Sequence, residues 1–157
     1  MGQRLSEHSA QTLVETADIG GTNATSGWVS MKNFSRAMAY VEIGTWDAAD
    51  DLDECRLEQG ITSAGTSAKD LTTDAAAGNY DTSNPVDADG DFVIIEVRSE
   101  NLDIDLLFDH IRVYLAEGGN TGVDNVTSVL NCYGNAYPAK EKNGAAVTGS
   151  RVYVQPS

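Results

Sequence analysis

The feature that most limits what this chain of 157 residues can fold into is a two-residue alternation of apolar and polar side chains. It recurs in several short stretches, while a 3.6-residue helical period is poor everywhere. Ala37, Ala39, Val41 and Ile43 alternate with Arg36, Met38, Tyr40 and Glu42, and Gly44-Thr45 ends the run. Cys55 and Leu57 share a face with Asp53 and Gln59, opposite Leu52, Glu54, Arg56 and Glu58, which predicts a weaker edge strand with Cys55 and Leu57 inward. Phe92 to Arg98 is the most hydrophobic and β-branched stretch, hence the best central strand. Ile111, Val113 and Leu115 alternate with His110, Arg112 and Tyr114; a last core strand runs from Val126 to Ala136, and Arg151 to Val154 alternates once more. Gly118-Gly119-Asn120 is a turn, and only Leu102 to Asp109 suits a turn of helix. Five or six strands with Gly-rich connections predict a mainly β fold, an antiparallel β-sandwich or barrel-like single domain.

The same reading sets the boundaries. Residues 1–27 scatter Leu5, Leu13, Val14 and Ile19 too widely to build a face and read as an extended N-terminal arm. The β domain spans 28–138, and 139–157 is a C-terminal arm whose Arg151, Val152, Tyr153 and Val154 form a short strand. Residues 60–91 read as a long surface excursion. The predicted core is Val41, Ile43, Val93, Ile95, Val97, Ile111, Val113 and Leu130.

Charge narrows the partners. Against 24 Asp and Glu stand 10 Lys and Arg, a net charge of -14, which repels phosphate backbones and argues against a nucleic-acid partner. No apolar run approaches the roughly 20 residues of a membrane span. The start lacks a secretory pattern, so synthesis in the cytoplasm is expected. Cys55 and Cys132, 77 residues apart and outside any CxxC pattern, read as small buried hydrophobes.

Each motif has a plain alternative. Asp18-Ile-Gly-Gly-Thr-Asn23 looks like the phosphate-binding turn of sugar kinases with the glucokinase or actin-like fold. Those enzymes need two α/β lobes and a second acidic loop, and neither pattern is in this sequence, so the string reads as a glycine turn. Asp87, Asp89 and Asp91 have the 1, 3, 5 spacing of a calcium loop, but Phe92 and Arg98 stand where an EF-hand needs Gly and Glu. They are weak metal candidates beside the simpler reading of an acidic turn. His8 and His110 are the only histidines, and no Ser or Cys sits in a nucleophile motif. The acids at 47–54 and the nine between Asp81 and Asp109 read as solvated faces. Trp28 and Trp46 bracket the first strand as core plugs or contact anchors. The expectation is a chain without catalytic residues or cofactor.

Taken in order, the segments from 28 to 138 resemble a family of small structural proteins of tailed bacteriophages, typically encoded close to the major capsid protein. The residues that carry the likeness are Trp28, Met31, Phe34, Arg36 and Gly44; then Leu57, Gln59 and Gly65-Thr-Ser-Ala-Lys69. Ile95-Glu-Val-Arg98, Asn101-Leu-Asp103, Phe108-Asp-His-Ile-Arg-Val113 and Tyr137-Pro138 complete it. The resemblance implies a virion component on the capsid exterior, most simply a decoration (cement) protein of the head, with a tail or spike role as the nearest variant. Its partners would be the major capsid protein and itself, as a homo-oligomer, a trimer by the symmetry of the lattice. The rival class is a calcium- or carbohydrate-binding β-sandwich. Candidate contacts with capsid or subunit are Arg4, Leu5, Leu13, Val14, Trp28, Trp46, Arg151, Val152, Tyr153 and Val154.

Overall fold

The computed structural model describes residues 9–47, 52–72, 88–117, 122–135 and 151–155. Short alternating segments, each apolar on one face, bury that face by pairing into two antiparallel sheets packed against each other. The strands are β1 (Ser9–Asp18), β2 (Asn23–Thr25), β3 (Val29–Ser30), β4 (Phe34–Ile43) and β5 (Leu52–Gly60). After them come β6 (Lys69–Asp70), β7 (Phe92–Arg98), β8 (His110–Glu117), β9 (Asn125–Asn135) and β10 (Arg151–Gln155). The first sheet has the order β1-β9-β4-β7-β10 and the second β2-β8-β5-β6, with β3 also on β8. The fold is therefore an antiparallel sandwich. The helical turn expected in 102–109 is a single 3-10 turn, Ile104–Leu106, and another, Ser99–Asn101, directly precedes that range.

All eight predicted core residues are 2% exposed or less. Val41, Ile43, Val93, Ile95, Val97 and Leu130 come from the first sheet, and Ile111 and Val113 from the second. Phe92–Arg98 is internal, flanked by β4 and β10, as its β-branched sequence predicts. Cys55 and Cys132 are both fully buried. Burial pushes the Cys132 thiol up to about 12.

Two readings are corrected. From Ser9 onward the N-terminal segment is not an arm: β1 pairs with β9 from Ser9↔Tyr133 to Asp18↔Asn125, and Val14 and Ile19 enter the core. A register shift between Val14 and Ala17 interrupts the alternation of this strand, so no continuous face is visible in its sequence. A domain boundary at residue 27 therefore falls inside the sandwich. Leu52 is the second correction. Alternation places it outward with Glu54, but a register shift between Leu52 and Glu54 turns it inward and it is fully buried.

Candidate interaction surfaces

One end of the sandwich gathers the acidic residues that the sequence offers as motifs. In the turn after β1, Asp18 Oδ1 accepts the backbone N–H groups of Gly20 and Asp124, both at 3.1 Å. Glu117 accepts the Gly21 N–H, and a Cβ at Gly20 would run into the carbonyl of Gly122. Gly20 is thus required by close approach to the chain's own backbone, and Gly21 by its left-handed φ of +64°. Asp124, fully buried, accepts from Asp47 N–H at 2.9 Å. Asp89 accepts from Trp46 N–H at 2.8 Å, and Asp91 from Ala88 N–H at 3.2 Å. These carboxylates cap turns, because buried or half-buried N–H groups at strand ends need acceptors. Asp87 lies outside the described residues. Among those described, no three His, Cys, Asp or Glu side chains gather as a metal site would require.

The outer face of the second sheet carries a charged cluster that the sequence reading missed. Cross-strand register sets Arg56 opposite Tyr114 and Glu58 opposite Arg112. Glu58 bridges both cations, with Arg112 at 2.7 Å and Arg56 at 3.5 Å, and Asp70 meets Arg56 at 2.8 Å. Glu54 pairs with the same Arg56, whose guanidinium lies 4.3 Å from the centre of the Tyr114 ring. Burial pulls the Arg56 pKa down, yet the hydrogen bond to Glu54 and the charges of Asp70, Glu54 and Glu58 leave it raised. The Arg112 guanidinium sits 4.7 Å from the Trp28 ring, and Trp28 rests on Gly60 and Gly65. Gly65 has φ +72°, and a Cβ there would lie 2.5 Å from the Trp28 indole nitrogen. Lys69 pairs with Asp103 and caps the Phe108 ring at 4.5 Å. The alternate positions 54, 56 and 58 beside 112 and 114 are the signal that would have exposed this cluster, since they must share the outward face.

The contact candidates divide. Val14 and Trp46 are 6% and 7% exposed inside the chain's own core, so they are withdrawn as partner contacts. Leu13, one residue from Val14 on the opposite face of β1, is 52% exposed. Trp28 is half-buried under Arg112. Arg151 to Val154 lie in β10, whose backbone pairs with β7 of the same chain. Arg4 and Leu5 lie outside the described residues, as does His8. His110 is half-buried beside Asp109, which also pairs with Lys32 at 2.9 Å. Comparison of the chain with protein-family models, with curated proteins and with solved structures finds no match in any of the three.

Proposed function

We propose that this chain is a structural virion protein that binds the outside of a tailed-phage head and reinforces it. The partners are the major capsid protein and further copies of the chain, and its place is the capsid exterior after synthesis in the host cytoplasm. The observation that carries the reading is the position of the two terminal strands. β1 and β10 are the two outermost strands of one sheet, so among the described residues each has one long edge with no strand beside it. An edge strand offers unpaired backbone N–H and C=O groups, to which an extended segment of another protein adds with little side-chain specificity. The resemblance of residues 28–138 to phage head-associated proteins supplies the partner. The acidic turns and the Arg56–Glu58–Arg112 cluster then serve the fold rather than a reaction. No catalytic role is assigned.

Quantitative mass spectrometry of purified virions tests this. The expected result is a copy number in fixed ratio to the major capsid protein, and loss of the protein should lower the temperature at which heads rupture. Absence from the virion, or presence at only a few copies, would refute a head-coating role.

A further inference from the structure

Between β7 and β8 the chain makes a short turn whose flanks are buried and whose tip is not. Leu102 and Phe108 are 5% and 6% exposed, whereas Ile104, Leu106 and Leu107 between them are 43%, 61% and 72% exposed. Single exposed leucines are ordinary on a protein surface, but three large apolar side chains within four residues form a patch. The turn is held rigidly. The N–H groups of Leu106 and Leu107 donate to the carbonyls of Asp103 and Ile104, both at 2.9 Å, and Phe108 N–H returns to Asp103 at 3.3 Å. Asp103 is itself fixed from the second sheet: its N–H donates to Oε1 of buried Gln59 at 2.9 Å, and its carboxylate pairs with Lys69. Leu107 has a left-handed backbone, φ 66° and ψ 18°. Any residue with a Cβ is strained there and glycine is not. The chain thus keeps a branched side chain at the one position of the turn where the fold alone favours none.

The chemistry of the tip limits what can cover it. A turn tip with side chains this exposed is convex, so its occupant is concave. Asp105 stands among the apolar side chains, exposed and without an ion pair among the described residues, while Lys32 and Lys69 are taken up by Asp109 and Asp103. An acid at the tip of a chain with net charge -14 opposes insertion into a lipid surface, whose own charge is zero or negative. It suits a protein pocket with apolar walls and a Lys or Arg at the rim. We infer that Ile104, Leu106 and Leu107 are the anchor by which this chain docks into such a pocket on the capsid shell, with Asp105 meeting the basic rim. This contact rests on the head-binding reading and adds specific side chains to the strand edges. The three side chains offer roughly 350 Å² of surface, under half of the about 800 Å² per partner of a standard interface, so they anchor a wider contact. A preformed turn suits that role, because it loses little freedom on docking.

Co-sedimentation of the full chain with heads produced without it, over a concentration series, tests the docking. Leu107→Gly is the discriminating variant. It removes the strain together with the side chain, so its urea midpoint should stay at or near the wild-type value while head affinity falls at least about tenfold. Leu106→Ala should lose a similar factor, and Asp105→Asn should weaken binding mainly at low salt. Val123→Ser, at an exposed apolar residue on the opposite end of the sandwich, should leave affinity unchanged. Unchanged head binding by Leu106→Ala and Leu107→Gly overturns the docking turn but not the coat role. A Leu107→Gly chain that loses stability in step with binding makes the turn structural and overturns it too. Failure of the wild type to bind heads refutes the coat role itself, and the docking with it. Leu107-dependent binding to phosphatidylcholine or phosphatidylglycerol vesicles would assign the turn to a lipid surface instead.

Discussion

Adjacent residues on β7 give the sharpest test of the sandwich, because Ile95 faces the core and Ile94 faces out. Ile95 is fully buried in the middle of the first sheet, beside Ala39 on β4. Truncating it to Ala removes three carbons, a transfer loss of about 2.4 kcal/mol at about 0.8 kcal/mol per methylene. Its cross-strand neighbour Ala39 is too small to close the gap, so an unfilled cavity raises the cost to about 3–5 kcal/mol. Ile94 is half-buried and borders solvent, so Ile94→Ala loses about half of the transfer term and leaves no cavity, about 1 kcal/mol. Urea unfolding at micromolar concentration, followed by tryptophan fluorescence and circular dichroism, reads both values, with an unchanged slope expected for each variant. Equal costs, or a larger cost at 94, would mean that β7 is out of register by one residue and would overturn the assignment of every face in the first sheet.

Glu58→Ala leaves Arg56 and Arg112 without the carboxylate that bridges them and should cost about 3 kcal/mol in the same assay; Glu58→Asp, too short to reach both, should cost less. Gly65→Ala combines a left-handed backbone with displacement of the Trp28 ring, for about 2–4 kcal/mol and an altered tryptophan emission. The Cys132 thiol, raised to about 12, keeps its proton in the fold while the unfolded thiol releases its own near 8.5. Stability is therefore full below about pH 8.5 and falls by about 1.4 kcal/mol per unit as pH climbs toward 12, a slope that Cys132→Ala should reduce in denaturation midpoints at pH 8 and 10. Deleting residues 1–27 removes β1, β2, Val14 and Ile19 and should abolish the cooperative melt, whereas deleting 1–8 should preserve it.

Alternation alone determined the class of this protein and most of its interior. The faces of β4, β7, β8 and β9 follow from side chains two residues apart, because a pleated strand sends successive Cβ atoms to opposite sides whatever it pairs with. The capping carboxylates were half legible: Asp–Gly strings mark turns, but which N–H each acid would meet was not. Tertiary structure alone decided the partners. From β1 to β9 the chain changes sheets at nearly every connection, and β5–β6 is the single pairing between consecutive strands among those described. Turn chemistry reports local hairpins, so it says nothing of Leu13 beside Val129 or Arg36 beside Arg98. The same limit hid β1 and Leu52, where a bulge shifts the two-residue period by one and exchanges the faces. It also hid the choice between the tryptophans: Trp46 is anchored in the core through Asp89, while Trp28 lies on Gly60 and Gly65 beneath Arg112. Periodicity is a property of one strand, whereas edges, registers and faces that remain open for a partner belong to the pairing of distant ones.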